Sequence, residues 1–335
     1  MATQQQFLNF LSEIEPSPTT KNACSSANNT LREKLAGHDT YKNILRNSYL
    51  SGSYARDTAL RPRMASGVLR RPDVDIIVVT NHTQDERPSA VIATLRRALK
   101  QLGYEEIESN RRSVCVKLGT VEMDVVPIIE DPWTPGRWLI ADKSEERWIE
   151  TNPSGHTLWA ASVNKRTGGN FKPLVKLLKW WRRETLPHLR RPKGFIIETM
   201  VAELMDYKES SYEELFIKLL ERIKSEYEFV VLLGGVPTLQ DPSVSGNNVF
   251  SRVKAEEFKR FFDQAASHAA LARRAQKEQD PEKALELWQK VFGNRFRNQT
   301  NAKSKSLLQA APGTGAGLTF PDRAVGLPNK PPGFA

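Results

Sequence analysis

The chain has 335 residues, 39% hydrophobic and 26% charged, which is ordinary globular stock and excludes the disordered and collagenous classes. Lys plus Arg number 49 against 39 Asp plus Glu, and the formal charge of +10 suits a polyanionic ligand such as nucleotide, nucleic acid or polyphosphate. The two cysteines, Cys24 and Cys115, cannot build a disulfide framework, and no signal peptide or run of ~18 apolar residues is visible, so the expectation is a cytoplasmic protein with no membrane segment.

In chain order, residues 4 to 36 read as helical with a break near Pro16-Ser17-Pro18, and Gly37 stops the second piece. Ile44 to Tyr49 reads as a short strand leading into Ser51-Gly52-Ser53-Tyr54. A basic segment follows, with Arg61, Arg63, Arg70 and Arg71, before the clearest strand of the chain, Asp73 to Val79. Ser89 to Leu102 has the pattern of an amphipathic helix capped by Ser89 and ended by Gly103. Val114 to Leu118 and Val121 to Ile129 read as a hairpin around Gly119-Thr120. Helices are expected at Phe171–Thr185, Gly194–Asp206, Ser211–Tyr227, Val249–Lys277 and Glu282–Phe292. Strands thus fall mostly before residue 130 and helices mostly after 170. Between Pro312 and Ala335 stand five prolines and five glycines, the composition of a flexible tail.

The chemistry concentrates on three aspartates. Strand alternation puts Asp73 and Asp75 on one face, about 6–7 Å apart, with Val74, Ile76 and Val78 facing a core. In the hairpin strand Asp124 can project towards that pair. Adjacent carboxylates repel one another, and a hard divalent cation such as Mg²⁺ resolves the conflict. Upstream, Gly52 permits close approach of a phosphate, while backbone N–H groups and the Ser53 hydroxyl can donate to its oxygens. Asp-x-Asp alone reads as a solvated strand edge; with Gly-Ser before it and Asp124 in register it reads as a metal site for phosphoryl transfer. Glu122 reads as solvated or as a supporting residue, and His82, His156 and His188 lack metal-ligand spacing. Lys172, Lys176, Lys179 and Arg183 form one basic stripe, by default a solvated face, with Lys179 on a triphosphate tail as the functional alternative.

Ser51-Gly52-Ser53-Tyr54-Ala55-Arg56-Asp57-Thr58, then Asp73-Val74-Asp75, then Glu122-Met123-Asp124, resembles the polymerase-β-type nucleotidyltransferases and, within them, the bacterial cGAS/DncV-like nucleotidyltransferases (CD-NTases). Asn170 to Trp181, Lys193-Gly194-Phe195-Ile196-Ile197-Glu198 and Val236 to Pro242 are similar to the helical domain of oligoadenylate synthetases; the resemblance covers roughly residues 40 to 295. It implies an α+β fold: a mixed-sheet nucleotidyltransferase core with N-terminal helices (1–160), an oligoadenylate-synthetase-like helical lobe (161–296) across a central cleft, and a tail (297–335). It implies two Mg²⁺ ions on Asp73, Asp75 and Asp124. Ser51, Gly52, Ser53, Lys179 and Lys193 would serve the triphosphate, and Thr151 and Asp241 the base or acceptor. The reaction implied is synthesis of a cyclic di- or trinucleotide messenger in antiphage (CBASS) defence from nucleoside triphosphates, with ATP, GTP or others as substrates. Partners implied are a ubiquitin-transfer-like ligase acting on the C-terminus and operon regulatory proteins. The zinc-binding His/Cys insertion of the animal enzymes has no counterpart, so no zinc is expected. The alternatives are a linear polymerase of the oligoadenylate or tRNA-tailing type and a non-catalytic nucleotide-binding relative.

Overall fold

Local chemistry sets the first elements. The computed structural model describes residues 2–62, 64–65 and 68–297. Thr3 caps α1 (Gln4–Ile14) in a reciprocal box with Gln6, and Pro18 opens α2 (Pro18–Gly37) behind the N-cap Ser17. β1 (Leu45–Ser51) runs into the single turn α3 (Gly52–Ala55), and the backbones of β2 (Met64–Ala65) and β3 (Val68–Leu69) pair as a small hairpin. β4 (Asp73–Thr80) leads to α4 (Pro88–Gln101), where Pro88 is the first helical residue and Arg87 the N-cap; Ser89, the expected cap, lies one turn position inside. Proline at N1 explains the shift, since it surrenders no hydrogen bond there.

β5 (Ile107–Ser109), β6 (Val114–Lys117) and β7 (Glu122–Glu130) follow, the last two joined as the expected hairpin, with Leu118 N donating to Val121 O at 2.8 Å. The sequence pattern predicts no element between 130 and 170. The structure places β8 (Trp138–Asp142), β9 (Arg147–Thr151) and α5 (Pro153–Arg166) there. The sheet order is β1-β4-β7-β6-β5, with β8 beside the far half of β7 and β9 beside β8. Only β4 and β7 among these neighbours are parallel, so the sheet is mixed.

α6 (Phe171–Thr185), α7 (Phe195–Leu204), α8 (Tyr212–Leu232), α9 (Ala255–Lys277) and α10 (Pro281–Phe292) form the helical side. Its core is aromatic: Phe7 and Phe10 of α1 meet Trp180, Trp288, Phe292 and Phe296 at ring-centroid distances of 4.9–6.0 Å. Trp180 and Trp181 are buried in this core, and their indole N–H groups reach Phe292 O and His268 Nδ1. Among the described residues no helix is long and apolar enough to cross a membrane. The proline- and glycine-rich tail, its expected conjugation and Arg63 lie outside the described residues.

Candidate active site

The face of β4 that carries Asp73 and Asp75 continues as Ile77 and Val79, which pack with Ile128 of β7. The carboxylates therefore stand where an apolar sheet face runs out. Parallel pairing sets Asp73 opposite Glu122 and Asp75 opposite Asp124, so four acids share one face of two adjoining strands. Glu122, read as solvated or supporting, thus sits in register with Asp73.

Ser51, buried at the end of β1, pairs with Asp75. Gly52 beside it has φ +67°, and a Cβ there would fall 1.7 Å from Asp75 Oδ2 and 2.5 Å from its Cγ. Only glycine leaves room for this carboxylate, and only glycine takes that backbone conformation without strain. Burial, then the charges of Asp75, Asp124 and Glu122, push the Asp73 carboxyl above the usual range. Burial and Asp124 push Asp75 up as well, and Arg56 draws it part of the way back. Asp124 Oδ1 accepts from Asn110 Nδ2 and Ser113 Oγ, both at 3.1 Å.

Two carboxyls raised by desolvation and by the charges of neighbouring acids, with oxygen donors only, fit a hard divalent cation. Among the described residues, however, no three His, Cys, Asp or Glu side chains already stand close enough to hold one ion. The fit therefore lies in donor chemistry and charge, on Asp73, Asp75 and Asp124.

Two cavities meet at Asp73. The smaller, about 310 Å³, lies between the segments 53–62 and 70–73 and the helical side, and includes Ser53, Lys179 and Lys193. Arg61, Arg70, Arg71, Arg182 and Arg183 also line it, so cations dominate a space of ligand size. The basic segment 61–71, whose role was open from sequence, thus contributes three of these arginines. The larger, about 1120 Å³, shares Arg70, Arg71 and Asp73 and extends over Glu122, Asp124, Asn110 and Lys117 to Thr19 and Thr20 of α2.

The basic stripe of α6 is not a solvated face. Lys176 and Lys179 are buried: Lys176 Nζ donates to Glu15 Oε1 at 2.8 Å, and Lys179 Nζ to Glu198 Oε1 at 2.7 Å and Thr58 Oγ1 at 3.0 Å. Arg183 stacks over Trp180 at 4.3 Å and donates to Arg61 O. A helix wedged between two layers buries its polar stripe too, and pairing then becomes obligatory. Ser51 and Gly52 lie beneath Asp75 and do not line either cavity. Neither do Thr151, the last residue of β9, and Asp241. Asp241 is occupied by His156 Nε2 at 2.8 Å and by Ser243 N, Val244 N and Asn247 Nδ2, which fold the loop around it. His156 is therefore partnered and largely buried, with 15% side-chain exposure, rather than a surface histidine. Sequence reasoning gave no role to Arg56, Thr58 or Glu198, which meet beside Asp75, or to Asn110 and Ser113, which hold Asp124. A Glu set within an apolar run, Glu198 among Ile196, Ile197, Met200 and Val201, was the available signal.

A family model described as the Second Messenger Oligonucleotide or Dinucleotide Synthetase domain matches residues 1–164. The chain is 53% identical over 342 residues to a cyclic AMP-AMP-AMP synthase of an Acinetobacter strain, covering 100% of this chain and 98% of that one. It is 28% identical to a cyclic AMP-AMP-GMP synthase of Enterobacter hormaechei, covering 88% and 92%. In fold it is similar to Escherichia coli CdnC in complex with a HORMA protein (TM-score 0.71, 20% identity, 88% and 98% covered) and to Vibrio cholerae DncV (0.63, 15%, 88% and 87%). With a relative this similar along the whole chain, and with the bilobal α+β architecture in place, the chain belongs to the cGAS/DncV-like nucleotidyltransferases, the family of cyclic oligonucleotide synthases.

Proposed function

We propose that this chain joins three ATP molecules into cyclic AMP-AMP-AMP, using Asp73, Asp75 and Asp124 with two Mg²⁺ ions. The observation that carries the site is the register of Asp75 with Asp124 on adjoining strands, with Asp75 laid on the Gly52 backbone. The choice of product rests on the 53% identical relative, a cyclic AMP-AMP-AMP synthase.

The cations of the smaller cavity receive the triphosphate: Arg61, Arg70, Arg71 and Lys193 balance its charge, and the Ser53 hydroxyl donates to it. When bound, Mg²⁺ supplies positive charge that acidifies the attacking ribose hydroxyl and offsets charge on the departing pyrophosphate. Asp124, held by Asn110 and Ser113, faces the larger cavity and orients that hydroxyl towards the α-phosphate. The larger cavity has the volume for an acceptor nucleotide and the growing linear product.

The test supplies all four triphosphates with Mg²⁺, treats the products with phosphatase and weighs them. A phosphatase-resistant cyclic tri-adenylate is expected. Products that lose terminal phosphates would establish a linear polymerase instead, and no pyrophosphate release would establish a non-catalytic relative.

A further inference from the structure

Behind Asp75 the chain has buried a charged network, one member of which, Lys179, also lines the smaller cavity. Arg56, Thr58, Lys179 and Glu198 come from the segment after α3 and from α6 and α7, and all four are buried. Glu198 Oε2 accepts from Arg56 Nε at 2.7 Å; Oε1 accepts from Lys179 Nζ at 2.7 Å, Thr58 Oγ1 at 3.0 Å and Arg56 Nη2 at 3.2 Å. Lys179 Nζ also donates to Thr58 Oγ1 and Thr58 O, which engages its three protons. The network is tied to the aspartates through the backbone, because Arg56 N donates to Gly52 O at 3.1 Å and Gly52 is the residue on which Asp75 lies.

Two cations against one anion leave a residual charge of +1, on side chains no more than 9% exposed. A fixed charge in such a place acts on its neighbours with little screening. Its members influence Asp75 with the expected signs: Arg56 and Lys179 draw its carboxyl down and Glu198 pushes it up. Lys176, the neighbouring cation on α6, is already balanced by Glu15 and Asp57.

We propose that Glu198 is a positioning residue that, with Arg56 and Lys179, fixes a charge of +1 behind Asp75 and thereby sets the divalent-cation affinity of the aspartate site. The inference rests on the reading that Asp73, Asp75 and Asp124 hold the cation. Too much positive charge there would repel the ion, and too little would trap it and strengthen its hold after product release. A merely structural tie between loop and helices makes no such distinction.

The experiment measures binding of Mn²⁺ alone to the full chain by electron paramagnetic resonance. Glu198→Gln raises the fixed charge to +2 and weakens Mn²⁺ binding about tenfold; Lys179→Met lowers it to zero and tightens binding about tenfold. The double variant returns the charge to +1 and binds within about twofold of the unaltered chain. Single variants that shift the same way, or a double variant that stays with the weaker single, overturn the proposal. Should Glu198→Gln alone fail to fold, the other two variants decide, because the double must bind about tenfold more weakly than Lys179→Met. Asp75→Asn separates the two readings. Unchanged Mn²⁺ binding in that variant removes the metal site itself, whereas lost binding there without divergence of the charge variants removes only the network's role.

Discussion

One sheet carries two acidic sites of opposite character, one at the open start of a strand and one buried. At the start of β4 the carboxyls of Asp73 and Asp75 are raised by desolvation and by neighbouring acids, chiefly Asp75 for the first and Asp124 for the second. At the end of β8, burial also acts to raise Asp142, but Arg111 and Arg112, bonded to it at 2.7–2.8 Å, outweigh burial and hold it below the usual range. Arg252 adds a third guanidinium at 3.7 Å. Asp142 is thus an acid the fold has completed for itself, while Asp73 and Asp75 are acids the fold leaves short of positive charge. An incomplete site of this kind is where a ligand cation can do most.

The largest effect expected is from Asp75→Asn. It should reduce cyclic product to background while raising the melting temperature of the metal-free protein near pH 8, since one member of a repelling acid cluster is neutralised. Loss of activity together with a lower melting temperature would break the comparison, by making Asp75 a structural acid like Asp142. Next comes Asp142→Ala, which leaves the part-exposed Arg111, Arg112 and Arg252 without their shared partner and should cost about 1–2 kcal/mol in urea unfolding. A loss within error would show that the arginines are served equally well by solvent and Glu145.

The smallest effect is the pH dependence of the metal-free protein, and its sign follows from the direction of each shift. The raised Asp73 and Asp75 favour the folded state when protonated, and that support is lost as pH rises through their folded values. Asp142, held low, supports folding above the ordinary carboxylate value of about 4 and loses that support only as pH falls further. Thermal melts should therefore rise by a few degrees from about pH 8 to about pH 6, and saturating Mg²⁺ should flatten the trend. A flat profile without metal would show that desolvation and the neighbouring acids act on Asp73 and Asp75 too weakly to set them apart from Asp142.

Much of this architecture was legible from local pattern. The strand at Asp73, the hairpin bearing Asp124 and the helix Phe171–Thr185 announce themselves by period and turn residues, and their pairing brings the aspartates onto one face. β8 and β9 were missed because both are five-residue strands, too short for a firm alternation signal. Their apolar runs Trp138-Leu139-Ile140-Ala141 and Trp148-Ile149 were the clue, as was Asn152-Pro153 for the start of α5. The environment of Lys179 was beyond local pattern. Its spacing reads as a surface stripe, and only the approach of Thr58, 121 positions away, and of Glu198 makes it an interior ion. Asp241 illustrates the same limit, since a nearby loop and His156 absorb a carboxylate that spacing alone leaves available.

The aromatic closure of the helical side has a consequence for biosynthesis. Phe10 meets Trp180, but the other partners of Phe7 and Phe10, which are Trp288, Phe292 and Phe296, are translated about 280 residues after them. The strands of the sheet, by contrast, have all been synthesised once Thr151 has been added. Nascent chains stalled before residue 288 should thus present to chaperones an α1 whose aromatic face is only partly covered, even where the nucleotide-facing sheet has already formed.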